Sequence, residues 1–290
     1  MTPRAVLTLT LLTGLTLLVA CEKSDAPAEG YGTTGTTGTT GTTEAPVIVP
    51  RVMSGLMPWL WSSFKDGSPS ALGEGIQNLH EVTGAALLDT PEDGALPELT
   101  PLDLRGLSIS PEPEPDSARG IYVVNTFPCT LEQLEPILLD VDQAGLYDDL
   151  YEEYDREYTS NLSAYSEGQT DTLEWDAEAS VSNLLISYTQ QLQGGLRYLS
   201  DTEQGPALMS RVFMTEPAEF DSDATFDQLY VIDVFYERAP GEMIHVSGQW
   251  LDMDLGGGLD MENDTMIAGL VESVLDRDER TAELCEERGG

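Results

Sequence analysis

The chain has 290 residues, and its 13 Lys and Arg stand against 52 Asp and Glu for a formal net charge of −39 at pH 7. A field of that sign repels nucleic acid and anionic lipid headgroups, which are bound through basic patches, so it argues against both as partners. Hydrophobic residues make up 40% of the chain, enough for one sizeable core and too many for a chain disordered throughout.

An apolar run from Ala5 to Ala20 follows a single basic residue, Arg4, and stops at Cys21. It is too short and too weakly flanked for a spanning helix and has the layout of a secretory leader. Leu18-Val19-Ala20-Cys21 resembles the lipobox of bacterial lipoproteins, Leu-x-Ala/Gly-Cys. That resemblance implies cleavage before Cys21, acylation of its sulfur and new amine by palmitate-like chains, and a membrane partner held through those chains. Several acyl chains, each contributing about 0.8 kcal/mol per buried methylene, anchor a protein without a transmembrane helix. Glu22 stands where an aspartate would favour retention, so the resemblance points to the outer membrane of a bacterial envelope. Residues 22–43 lack apolar periodicity and include four Gly-Thr-Thr repeats. This is a flexible linker, expected to span about 25 Å as a random coil.

Residues 44–118 read as a helical and proline-rich extension. Val52, Met53, Leu56, Met57, Leu60, Trp61 and Phe64 recur at helical spacing, with Trp59 widening the stripe. This helix either lies at a membrane interface or packs on the following domain, and its lack of a basic cluster favours packing. Ser68 or Ser70 can cap a second helix carrying Leu72, Ile76, Leu79, Val82 and Ala86. Pro111-Glu112-Pro113-Glu114-Pro115 forms a stiff, solvated boundary.

From residue 119 the pattern becomes regular. A β-branched strand over 121–126 precedes Thr130 and Gln133, the two ends of a capping box, and the stripe Leu131, Leu134, Ile137, Leu138 and Val141. Pro136 is expected to kink that helix, and a second short helix covers 144–153. Strands are predicted over 154–166, 172–181, 185–198, 207–214, 228–238 and 243–251, with turns at Asn183 and at Asp221 among others. Tyr230, Ile232, Val234 and Tyr236 are assigned to one face, and Ile244, Val246, Gly248 and Trp250 to another, as in a half-covered antiparallel sheet. A final helix begins after Asn263 or Asp264, with Met266, Leu270 and Val274 on its apolar stripe.

One strand, two short helices, about six antiparallel strands and a long last helix resemble the START-like (SRPBCC, helix-grip) superfamily of carriers for lipids and other hydrophobic ligands. The resemblance implies an α+β fold over residues 119–290, a curved antiparallel sheet gripping the C-terminal helix around a cavity. It also implies entry near the loop before that helix, so Gly256, Gly257 and Gly258 become candidates for a mobile lid. Inward residues expected to line the cavity are Tyr188, Phe213, Trp250, Met266 and Leu270, although the same residues would equally fill a solid core. Arg211 and Asp233 either pair at the cavity wall, where they would orient a polar head, or face solvent. Cys129 and Cys285, the two cysteines beyond Cys21, either bridge in the oxidising compartment that export implies or stay as buried thiols. The family layout brings them close together.

Signals for catalysis are sparse. His80 and His245 lie far apart in sequence, and His245 alternates with apolar residues like a strand-surface or core histidine. No phosphate loop, His-Glu-x-x-His or Cys-x-x-Cys pattern is present. Asp252, Asp254 and Asp260 crowd one loop without EF-hand spacing, which leaves them weak calcium ligands at best. No cofactor is implied. The expected function is therefore non-catalytic binding of a hydrophobic molecule by an envelope lipoprotein. Its rival is a surface structural or interaction module with a solid core, and third comes an enzyme of the cyclase or aromatase kind found in the same superfamily.

Overall fold

The computed structural model describes residues 47–289 apart from 85–87, 183–186 and 221–222. The leader, Cys21, the Gly-Thr-Thr linker, Ala86, the turns at Asn183 and Asp221 and the strand start at Leu185 lie outside the described residues. Two helices come first, α1 (Met53–Ser63) and α2 (Pro69–Val82), the second capped by Ser68, which accepts from the Ala71 N–H. Strands β1 (Glu92–Leu96) and β2 (Arg119–Pro128) precede the short helices α3 (Leu131–Leu138) and α4 (Gln143–Leu146). Then come β3 (Glu153–Tyr158), α5 (Leu162–Ser166), β4 (Thr172–Ser182), β5 (Ser187–Leu199), β6 (Ala207–Met214), β7 (Glu219–Phe220), β8 (Thr225–Ala239) and β9 (Glu242–Asp254). The 26-residue helix α6 (Asp264–Gly289) closes the chain.

All pairings in the sheet are antiparallel, in the order β1-β2-β9-β8-β6-β5-β4-β3, with β7 added beside β5. The sheet curves around α6, which gives the α+β helix-grip architecture expected for residues 119–290. Residues 154–166 form a strand and then a one-turn helix rather than a single strand, because Asn161 caps Ala164 and stops the extended chain. The sequence pattern also passed over β1, a five-residue edge strand set among prolines.

Both faces of the sheet are covered, so the half-covered reading is corrected. Tyr230, Ile232, Val234, Tyr236, Ile244, Val246 and Trp250 all point to one outer face, packed under Leu56, Met57, Leu60, Trp61, Phe64, Leu72 and Ile76 of the α1–α2 segment. The first helix is thus a core helix. Trp61 sits among Phe213, Tyr230 and Trp250 with ring centroids 5.6–6.3 Å away. Residues of opposite parity, including Leu208, Phe235, Met243 and Leu251, form a second core on the inner face with α3 and the C-terminal half of α6.

Cys129 and Cys285 are bridged across 156 residues of sequence, with their Cα atoms 5.5 Å apart. The bridge fastens the start of α3, where Thr130 and Gln133 form the expected capping box, to the end of α6. Gln133 doubles the tie by donating to the Cys285 carbonyl at 3.0 Å. Closing so long a loop contributes on the order of 5 kcal/mol in the chain-entropy model. The C129A/C285A variant is expected to lose about 2–5 kcal/mol in guanidinium unfolding without reductant. Identical midpoints for the variant and the untreated chain would show that the bridge adds nothing.

Candidate functional site

The inner face carries a cavity of about 240 Å3 between α6 and strands β3 to β9. Its floor follows from the register. Trp175, Gly194, Val212, Val231 and Gln249 form one row across β4, β5, β6, β8 and β9, and Leu196, Ser210, Asp233 and Ser247 form the next. Gly194 is required there, because a Cβ would lie 2.4 Å from the Trp175 ring. The roof is the Leu270, Val274 and Arg277 side of α6, and one end is closed by Tyr147, Leu150 and Tyr151.

A buried group of charges joins the roof to the floor. His245 on β9 is 1% exposed and lies between two carboxylates: Nδ1 is 2.8 Å from Asp278 on α6, and Nε2 is 3.1 Å from Asp233 on β8. Asp233 pairs with Ser247, so His245 occupies the diagonal position on the same face. Arg277 donates to Asp233 at 3.4 Å, and Asn125 donates to Asp278 at 3.0 Å. Burial alone would lower the His245 pKa, but Asp278 and Asp233 outweigh it and raise it to about 9. For Asp233 burial works upward, and Arg277 with the His245 hydrogen bond holds it down to about 2. At neutral pH the histidine is an imidazolium donating from both nitrogens, so it has no lone pair to serve as a base.

An outer groove adjoins the cavity beside α4. Tyr147, Leu150, Ser273 and Arg277 line both the cavity and this groove of about 410 Å3, whose rim also carries Asp148, Asp276 and Glu279. The Tyr147 hydroxyl lies 2.9 Å from Thr281, and Arg280 donates to the Leu146 carbonyl at 3.0 Å, so α4 is held against α6 beside this groove.

Among the residues expected to line a cavity, Tyr188, Asp233 and Leu270 do line it. Met266 packs against the same inner core without lining the cavity. Phe213 and Trp250 are corrected: they belong to the outer face, around Trp61. Arg211 faces outward too, half-buried with its guanidinium 5.4 Å from the Trp61 ring centre and 4.8 Å from that of Phe64, so it does not meet Asp233. The reason is strand parity. Ser210 and Val212 point inward, so Arg211 and Phe213 cannot, and apolar residues on both faces hide which parity is which. Asp233 finds its cation on α6 instead. Gly256, Gly257 and Gly258 form an exposed turn with positive φ (77°, 66° and 83°) between β9 and α6, and none lines the cavity.

Asp252 accepts from Ser117 and Gln228, while Asp254 and Asp260 cap the local backbone at Gly256 and Glu262. Among the described residues no group of three His, Cys, Asp or Glu side chains is arranged to hold a metal ion. Sequence reasoning passed over Asp278, Arg156, Trp175 and Gln190. Asp278 had a readable signal: Leu270, Val274, Asp278, Thr281 and Cys285 recur at helical spacing, which places a charge on the buried stripe.

No family model and no curated protein matches this sequence. Solved structures do match. The human StarD13 lipid transfer and protein localization domain is 8% identical over 72% of this chain and 95% of that chain, with a TM-score of 0.41. Human StAR-related lipid transfer protein 5 is 12% identical over 77% of this chain and 98% of that chain, with a TM-score of 0.39. A START superfamily protein from Mycobacterium smegmatis is 9% identical over 58% of this chain and 97% of that chain, with a TM-score of 0.38.

The charge group has a pH signature. The raised His245 contributes stability that is fully present below its ordinary 6.5 and is lost as pH rises through about 9. The depressed Asp233 contributes stability present above its ordinary 3.8 and lost as pH falls toward about 2. Unfolding free energy should therefore form a plateau between these ranges and decline from pH 6.5 to 9, a decline that H245Q removes. Leaving Asp278 without its cation and Asp233 with Arg277 alone, H245L is expected to cost about 3–5 kcal/mol. A wild-type chain equally stable at pH 6 and pH 9.5 would contradict the charged histidine.

Proposed function

We propose that this chain is a lipid-anchored protein of the bacterial envelope whose inner cavity binds a small hydrophobic molecule without chemical change. The observation that carries the reading is the cavity itself, with apolar walls (Leu192, Leu196, Val212, Val231, Phe235) and a few polar groups at fixed places. That mixture of an apolar lining with sparse oriented polar atoms is the general character of small-molecule sites. The volume of about 240 Å3 lies below the ~300 Å3 low end of such sites, which favours a single-chain or single-ring ligand over a two-chain lipid. The same void separates this reading from a module with a solid core, where a close-packed inner face would serve only stability. Anchoring rests on Leu18-Val19-Ala20-Cys21 and on the linker that follows.

Two experiments test the two halves. Organic extraction of the purified chain, followed by mass spectrometry, should release an apolar molecule, and Nile red should bind with a fluorescence rise. V212W, which places an indole in the cavity, should weaken Nile red at least tenfold while the thermal unfolding midpoint stays within a few degrees. Unchanged dye binding in V212W would locate the dye elsewhere and end the cavity reading. For the anchor, the chain expressed in a bacterium with labelled palmitate should carry label and fractionate with membranes, and C21S should do neither. A wild-type chain that stays unlabelled would remove the lipidation.

A further inference from the structure

Away from the Asp233–Arg277 end, the cavity wall holds three buried polar atoms without a hydrogen-bond partner: Arg156 Nε, Trp175 Nε1 and Gln190 Oε1. They come from β3, β4 and β5, the far side of the floor. Trp175 is 2% exposed and Gln190 6% exposed, so solvent does not serve them freely. A buried donor left without an acceptor costs about 1–3 kcal/mol, and such groups are few in folded proteins. Here three line one cavity.

The Arg156 guanidinium is held in place. It lies 4.5 Å from the Trp175 ring centre, donates from Nη1 to the Leu138 carbonyl at 2.6 Å, and donates from Nη2 to the Tyr154 hydroxyl at 3.3 Å. These partners are neutral. Among the described residues Arg156 has no carboxylate within ion-pair distance, and the nearby Asp140 carboxylate is taken by Arg288. At the other end the charges already balance, Asp233 and Asp278 against His245 and Arg277. The positive charge of Arg156 is therefore the cavity's surplus.

We infer that Arg156 and Trp175 form a second polar subsite that takes the carboxylate of a single-chain apolar acid, its oxygens accepting from Arg156 Nε and Trp175 Nε1. This deepens the cavity-binding reading and rests on it. The anionic head goes to this subsite and not to the Asp233–Arg277 end, because only here is a cation without its anion joined by a second free donor. Strands β4 and β8 are three spacings apart, so the two polar ends are separated by roughly 14 Å. The apolar tail of the acid fills that interval, over Leu196 and Val212.

The test uses the full chain carrying C21S, loaded with Nile red at pH 7.5 and titrated with decanoate or with 1-decanol, which has the same chain length and no charge. Decanoate should displace the dye at a concentration at least tenfold lower than decanol. W175F, which removes the indole N–H and keeps a smaller aromatic ring beneath Arg156, should cut that preference at least threefold, with decanol as the control for the change in cavity volume. R156K, which keeps a positive charge but lacks Nε, should cut it further. Equal displacement by the two compounds would overturn the subsite and leave the cavity standing. Loss of the preference in R277K but not in W175F or R156K would place the head at the other end and also overturn it. If neither compound displaces the dye, the cavity reading falls and the subsite with it.

Discussion

The inner half of this molecule depends on one group of buried charges, the imidazolium of His245 held between Asp233 and Asp278 and balanced by Arg277. Removing three ionised groups from water beside a partly covered Arg277 is costly, and the cost is offset only because the four form an electrically neutral set with directed hydrogen bonds. The set is also asymmetric in the fold. Asp233 and His245 belong to the sheet while Asp278 and Arg277 belong to α6, so the helix cannot slide along the sheet or roll without separating charges at low dielectric. A hydrophobic contact would tolerate such movement, since it has no direction. The fastening point therefore fixes the height of α6 above the floor as well as its position.

That fixed height is what leaves room. On the outer face α1 and α2 settle against the sheet through large interlocking rings, Trp61 among Phe213, Tyr230 and Trp250, and the space fills. On the inner face α6 is pinned near its C-terminal half by Asp278, Thr281 and the Cys129–Cys285 bridge, and Val274 is the last fully buried apolar residue toward its N-terminus. Before Val274 the helix is only half-buried or exposed, and the cavity lies beneath Leu270 to Arg277. One sheet thus has a face packed for stability and a face held open by polar ties. Residues of adjacent parity on the same strand serve the two purposes, Arg211 and Phe213 outward, Ser210 and Val212 inward.

Much of this was legible in the sequence, and the rest was hidden for definable reasons. Most of the element order after residue 119 (though not α5, β7 or the end of α4), the Thr130–Gln133 capping box and the core role of the first helix could be read because they depend on local spacing and caps. Strand parity could not be read. With Tyr230, Ile232 and Val234 facing one core and Leu229, Val231 and Phe235 facing the other, alternation carries no sign of which face is which. Arg211 was misplaced for that reason alone. Its real neighbours, Trp61 and Phe64, lie about 150 positions earlier, and a cation over aromatic rings leaves no local pattern. Asp278 and His245 were equally obscure as a pair, because a buried ion group needs the hairpin register and the helix position together. The edge strand β1 and the partnerless atoms of Arg156, Trp175 and Gln190 are tertiary facts in the same sense.

The exterior and the interior then oppose each other in charge. The net charge of −39 is spread over the surface, including Asp148, Asp276 and Glu279 at the groove beside the cavity, and it repels an approaching anion. That repulsion is screened within about 8 Å at physiological ionic strength, so it acts chiefly on encounter. A carboxylate seated at Arg156, as inferred above, would meet that cation at hydrogen-bonding distance and under weaker screening than at the surface. The two fields govern different steps. On the proposed reading, surface acids would slow entry and keep an anchored domain from adhering to anionic headgroups, while the surplus cation inside would retain what has entered. For a domain anchored as proposed that division matters, because a uniformly basic surface would bind the bilayer itself before any single molecule taken from it.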